Sequence, residues 1–213
     1  FGMTLGGGCE FSMHSDKIVA AAETYIGLVE VGVGLIPGGG GTKEFALRAL
    51  KGALPDDVKT NHLRNYFMNI ATAKVATSAH EAKQMGILTD KDIIVVNKDR
   101  QIAEAKRQAI VLDELGYTAP VPEKSKVLGK ESVGMFYVGT DQMVAGGYAS
   151  EHDRLIANKI GYVMTGGNLS EPTEVSEQYL LDLEREAFLS LCGERKTLER
   201  IQTMLTTGKP LRN

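Results

Sequence analysis

The chain has 213 residues, 43% of them hydrophobic and 24% charged, with a formal net charge of -3. This balance excludes a disordered chain and a basic nucleic-acid-binding surface. No apolar run reaches the roughly 20 residues that cross a bilayer, and two cysteines, Cys9 and Cys192, exclude a disulfide framework or a multi-cysteine metal site. His14, His62, His80 and His152 show no ligand spacing, so no metal is expected, and the expected compartment is cytoplasmic.

The first residue is Phe1, and the opening stretch is already apolar and glycine-rich, as if the reading began inside a strand and its turn. A piece of a longer chain is the expectation, with part of any site lying before Phe1. Up to about Leu50 the pattern predicts short β-rich segments between glycine turns. Lys17 to Ala22 and Thr24 to Val29 read as strands, and "GCEFSMH" as a brief helix after the first glycines. Lys43 to Leu50 reads as a helix with Thr42 as its cap, since Phe45, Leu47 and Leu50 have apolar spacing.

From Pro55 onward the chain reads mostly as helix. Asp56 to Ile70 places Leu63, Phe67 and Ile70 on one face, and Ser78 with Glu81 forms a capping box for a helix ended by Gly86. Asp92 to Asn97 is predicted as the last strand. Lys98 to Leu115 is a helix closed by Gly116, and "YTAPVPEKSKVLGK" a loop, because Pro120 and Pro122 exclude helix. Further helices are predicted at Ser132 to Ala145, Ser150 to Met164, Glu174 to Leu191 and Lys196 to Leu205, with a second capping box at Ser150 and Asp153. The division is an α/β region at 1–97 and a helical region at 98–213, the latter suited to docking.

The glycine runs "LGGGCEF" and "GLIPGGGGT" and the glutamates beside them, Glu10 and Glu30, carry the functional question. Nucleotide binding fits poorly: Pro37 stands where a third glycine of G-x-G-x-x-G belongs, and no Gly-Lys-Ser/Thr follows. Plain turns with solvated glutamates are the bland alternative. Against it, Glu10 lies among Cys9, Phe11 and Met13, and Glu30 between Val29 and Val31, so each carboxylate interrupts an apolar context. The third reading is catalytic. Unpaired N–H groups at a helix start stabilise an anion forming on a carbonyl oxygen, and two carboxylates in one small volume divide acid and base roles.

These two stretches together resemble the signature of the crotonase superfamily, the enoyl-CoA hydratases and isomerases. "LGGGCE" is similar to its G-G-G-x-E helix start, and "EVGVGLIPGGGGT" to its later E-x-x-x-G-x-x-P-G-x-G-G-T segment; "TAKVATSAHEAKQMGIL" resembles the helix that follows. The resemblance covers about residues 1 to 96 and implies a ββα spiral core, incomplete at its start. By position, it implies that Gly7 offers an oxyanion-hole N–H to a thioester oxygen, that Glu10 and Glu30 are the two catalytic glutamates, and that the Gly38 N–H helps fix a water. The second oxyanion donor is implied to lie before Phe1. Val29 departs from the proline common before the second glutamate.

The remainder resembles the carboxy-terminal end of a long bacterial β-oxidation protein in which a 3-hydroxyacyl-CoA dehydrogenase precedes a hydratase. The resemblance therefore implies an enoyl-CoA hydratase acting on an acyl-CoA thioester, with a double-bond isomerase or a non-catalytic assembly module as alternatives. It implies no cofactor for hydration, NAD only for an upstream dehydrogenase, and either a homo-oligomer or docking to upstream domains. The isolated stretch is expected to be a poor catalyst. Cys9 is expected as a buried packing residue, His14 and His152 as helix-face or capping residues, and "DLEREAF" as a solvated helix face whose apolar side is Leu180, Leu183, Ala187 and Leu191.

Overall fold

Residues 1–54 and 56–213 are described by a computed structural model; Pro55, where the sequence reading turns to helix, lies outside them. The first strands are too short to make a sheet alone, and they pair across the chain rather than with their neighbours. β1 (Met3–Leu5) leads into α1 (Gly7–Met13), followed by β2 (Val19–Ala21), β3 (Tyr25–Gly27) and a 3-10 helix at Glu30–Val33. β1 runs parallel to β3, in register Met3 with Tyr25, while β2 runs parallel to β5 (Ile93–Val95), in register Val19 with Ile93. Parallel pairing needs a crossover, and here α1 with β2 supplies it for the first pair. β4 (Val75–Ala76) closes antiparallel on β3. β1, β2 and β3 thus feed two sheets in alternation, and β5 returns to the second after β4 has joined the first, the spiral winding expected from the sequence.

The helices between strands follow their apolar spacing. α2 (Gly41–Lys51) buries Phe45, Ala46, Leu47, Ala49 and Leu50, and α3 (Lys59–Ala71) buries Leu63, Phe67 and Ile70, one stripe four then three residues apart. α4 (Ala79–Gln84) starts as predicted at Ser78, whose Oγ accepts from the Glu81 N–H. The return half of the predicted box is displaced by one residue: the Glu81 carboxylate accepts from the Thr77 N–H instead.

Past α5 (Gln101–Glu114) the sequence reading needs two corrections. Ser125–Val127, inside the predicted loop, forms β6, and Thr173–Val175 forms β7, the two pairing antiparallel, so Asp92 to Asn97 does not hold the last strand. Val127 and Val175 are buried while Lys126 and Glu174 point out, an alternation too short to stand out in sequence. As a result Glu174 belongs to β7, and α8 (Glu177–Cys192) begins later, capped by the Ser176 hydroxyl on the Tyr179 N–H. α6 (Lys130–Ala145), α7 (Glu151–Thr165) and α9 (Arg195–Thr207) match their predicted segments, and both halves of the Ser150/Asp153 capping box are made.

One hydrophobic cluster joins Cys9, Leu28, Ile36, Phe45 and Leu63 to Ile156, Ile160, Met164, Leu180 and Leu191. The later helices therefore pack on the strand-rich part through its core. α9 also holds the segment behind Glu30: Arg200, 2% exposed, pairs with Asp153 at 2.8 Å and donates to the Val31 carbonyl at 3.3 Å. Thr197 donates to the Gly34 carbonyl at 2.8 Å, and its oxygen lies 2.9 Å from His152 Nε2.

Candidate active site

The glycine run at 38–41 is a turn that leads into α2, and it has no room for side chains. A Cβ on Gly39 would lie 2.6 Å from Glu10 Oε2. Gly40 has φ of 98°, in the left-handed region that L side chains avoid. What occupies the space at Gly39 and Gly41 is the Glu10 carboxylate. Glu10, 6% exposed on α1, accepts through Oε1 from the Gly39 N–H at 2.8 Å and the Gly41 N–H at 2.9 Å. Glu184, 1% exposed on α8, accepts through Oε1 from the Gly40 N–H at 2.6 Å and through Oε2 from the Lys43 N–H at 2.9 Å.

The first amides of a helix have no partners within it and lie at the positive end of its dipole. At α2 two acidic side chains from elsewhere in the chain satisfy them. The Thr42 cap predicted from sequence does not form; its hydroxyl lies 3.4 Å from the Pro37 carbonyl, to which it donates. The prediction that "DLEREAF" is solvated holds for Asp182 and Arg185, which pair at 2.9 Å on the surface, and fails for Glu184. The signal was present: Glu184 falls on the apolar stripe of Leu180, Leu183, Ala187 and Leu191, where a solvated glutamate has no place.

Glu30 starts the 3-10 helix, and its Oε1 would sit 3.1 Å from a Cβ on Gly6. Its Oε2 is buried and, among the described residues, has no hydrogen-bond partner. Burial pushes the Glu30 carboxyl up to about 7, with the Glu10 and Glu184 charges acting in the same direction. Burial also raises Glu184 to about 7, assisted by Glu10 and opposed by the Lys43 and Gly40 amides. Cys9 is fully buried as expected, and its thiol is pushed up to about 12 by burial and then by Glu30 and Glu10.

Gly7, Glu10, Phe11, His14, Ser15 and Gly39 line an open cleft of about 500 Å³. Gly7 and Glu10 thus share one wall. Glu30 and Gly38 do not line it, and a Cβ on Gly38 would strike the Phe188 ring of α8 at 2.6 Å. The N–H groups that meet the Glu10 carboxylate belong to the next glycines along, Gly39 and Gly41. A larger hollow of about 640 Å³, lined by His62, Asn69, Lys74 and Glu81 among others, holds none of the predicted site residues.

His14 was not read as part of the site, yet it borders the cleft. Its Nε2 is 3.0 Å from Lys43 Nζ and its Nδ1 is 2.7 Å from the Glu10 carbonyl oxygen. An ammonium only donates, so Nε2 accepts and Nδ1 carries the proton to the carbonyl. Lys43 is 3% exposed and is also within 3.3 Å of Glu44 and 3.5 Å of Glu177.

No family model matches the chain. It is 50% identical over 214 residues to a Bacillus subtilis (strain 168) protein named "probable 3-hydroxyacyl-CoA dehydrogenase", a match over 100% of this chain and 27% of that protein. It is 30% identical over 126 residues to a "probable enoyl-CoA hydratase" of Mycobacterium leprae (strain TN), covering 59% of this chain and 42% of that one. Among solved structures, a carnitinyl-CoA hydratase from Mycobacterium avium superposes with a TM-score of 0.54 over 99% of this chain and 59% of that chain, at 20% identity. The chain spans about a quarter of the length of the curated relatives it matches end to end.

Spiral strand winding, the glycine turn on its glutamate and the superposition define a crotonase fold. The chain is similar in sequence to proteins that carry the names of enoyl-CoA hydratases and of 3-hydroxyacyl-CoA dehydrogenases. Among the described residues no helix is long and apolar enough to cross a membrane.

Proposed function

We propose that this chain is the enoyl-CoA hydratase region of a multifunctional fatty-acid β-oxidation enzyme, adding water to trans-2-enoyl-CoA to give 3-hydroxyacyl-CoA. The observation that carries the reading is the contrast between two carboxyl groups. Glu10 lines an open cleft and is held by two N–H donors, while Glu30 is shut from solvent at Oε2 and raised to about 7. Two carboxyls with unlike environments suit paired acid and base work near neutral pH.

In this reading the Glu10 carboxylate takes a proton from the water that attacks the β-carbon, and the Glu30 carboxyl returns one to the α-carbon. The thioester oxygen carries the negative charge between these events, and the Gly7 N–H at the start of α1 faces it. Gly38 packs on Phe188 away from the cleft wall and takes no part in this reading. Addition of water leaves no net oxidation or reduction, so proton transfer and oxyanion stabilisation carry it. NAD belongs, on this view, to a dehydrogenase elsewhere in a longer polypeptide, a reading supported by the name of the Bacillus relative. A cytoplasmic setting and association with such a dehydrogenase, or between copies, complete the proposal.

One observation favours double-bond isomerisation instead: among the cleft-lining residues only Glu10 is a carboxylate. A single base is enough to move a proton along an acyl chain. The test is product analysis on the intact protein with a short trans-2-enoyl-CoA. Formation of 3-hydroxyacyl-CoA supports hydration; a shifted double bond from a 3-enoyl-CoA, without hydroxylated product, overturns it.

A further inference from the structure

Glu184 is buried without being part of the cleft wall, and the proton chemistry above makes no use of it. Its two oxygens hold the Gly40 and Lys43 amides, which alternate with the Gly39 and Gly41 amides held by Glu10. The turn is thus clamped from two sides by carboxylates carried on α1 and α8. Release of the Gly40 and Lys43 bonds would free the backbone on both sides of Gly41, and with it the donors that fix the Glu10 head group. Phe188, one helical turn further along α8, rests on Gly38 of the same turn. Lys43 ties the start of α8 to α2 a second time, through Glu177 at 3.5 Å.

We propose that Glu184 is a positioning residue for the Glu10 carboxylate: by holding the Gly40 and Lys43 amides it fixes the turn whose Gly39 and Gly41 amides aim Glu10 into the cleft. This rests on the hydratase reading for its kinetic consequence and on geometry alone for its structural one. Glu10 and Glu184 also respond differently to conversion to glutamine. Glu10 uses a single oxygen for both amides, so an amide oxygen can replace it. Glu184 uses both, so its glutamine places an NH₂ against an N–H and loses a bond.

The experiment compares Glu184→Gln, Glu184→Asp and, as an exposed control on the same helix, Glu186→Gln in the intact protein. Glu184→Gln lowers kcat for a four-carbon trans-2-enoyl-CoA by about 10-fold or more, the scale of a small misplacement of a reacting group, with little change in KM. Glu184→Asp, which keeps two acceptors, recovers part of the loss, and Glu186→Gln matches the wild type. In a Glu10→Gln background, Glu184→Gln adds little, because the group it aims is gone. An equal loss in both backgrounds, or an unchanged kcat, overturns the proposal.

Amide hydrogen exchange supplies a readout independent of turnover. In Glu184→Gln the Gly39 and Gly41 amides exchange faster along with Gly40 and Lys43. Retained protection at Gly39 and Gly41 overturns the positioning role. If the wild-type protein hydrates no enoyl-CoA, the hydratase reading fails, while the exchange result still decides whether Glu184 sets the Glu10 donors.

Discussion

Glu10 and Glu184, carried on helices near opposite ends of the chain, accept alternate backbone N–H groups from one turn: Gly39 and Gly41 on the first, Gly40 and Lys43 on the second. The turn therefore has two masters, one facing the cleft and one facing the core, and substitutions at each separate chemistry from placement.

Glu10→Gln keeps an oxygen for both amides, so its thermal midpoint stays close to that of the wild type. Its rate of enoyl-CoA hydration falls by at least about 10²-fold, the usual scale for a general acid or base. Glu30→Gln loses a comparable amount. Binding of the CoA ester, measured by calorimetry with a saturated analogue, changes far less. Near-normal turnover in both variants rejects the two-carboxylate mechanism.

The raised Glu30 and Glu184 carboxyls set a pH dependence of stability. Below the usual 4.5 of a glutamate both folded and unfolded chains hold these protons. As pH climbs toward about 7 the unfolded chain releases them first, so it binds fewer protons than the folded one and stability falls; above about 7 this contribution levels off. Denaturant unfolding of Glu30→Gln and wild type across this range checks the sign: the variant gains relative to wild type as pH rises. A gap that stays constant from pH 4.5 to 7.5 contradicts a raised Glu30.

Gly39→Ala places a methyl 2.6 Å from Glu10 Oε2, and Gly40→Ala places an L side chain at φ of 98°. The first is expected to displace the carboxylate and lower turnover by about 10²-fold, the scale of a misplaced reacting group. The second adds about 1–2 kcal/mol of backbone strain, seen as a lower unfolding midpoint. Wild-type kinetics in Gly39→Ala show that the turn yields more readily than its contacts indicate.

Arg200→Met removes the partner of Asp153 and a donor to the Val31 carbonyl behind Glu30. Breaking such a buried pair costs about 3–5 kcal/mol, measurable by urea unfolding. Arg200→Lys retains charge without the forked donors and falls between the two. A loss below about 1 kcal/mol for Arg200→Met places the ion pair among those that contribute little.

The spiral core and the burial of the two glutamates were legible because their signals are local. The glycine run at 38–41 marks backbone that admits no side chain, and a carboxylate between apolar neighbours marks itself. The strands Ser125–Val127 and Thr173–Val175 were not, since three residues carry too little alternation and their pairing depends on a distant partner. Glu184 was masked by its neighbours: Asp182, Arg185 and Glu186 make the run look solvated, although its helical spacing from Leu180, Leu183, Ala187 and Leu191 already puts it on the apolar stripe. That the Gly39 and Gly41 amides meet the Glu10 carboxylate was not legible, because four consecutive glycines offer no side chain by which sequence can tell their amides apart.

The Glu184 contact also bears on how the protein is made. A ribosome delivers the turn at 37–43 well before α8, so a nascent chain already bearing Glu10 and Glu30 still leaves the Gly40 and Lys43 amides to water. Pairing over so long a stretch is slow relative to helix formation. The Glu184 half of the turn's hydrogen bonding is thus completed late in synthesis, after α1 and the turn that Glu10 holds have both been made.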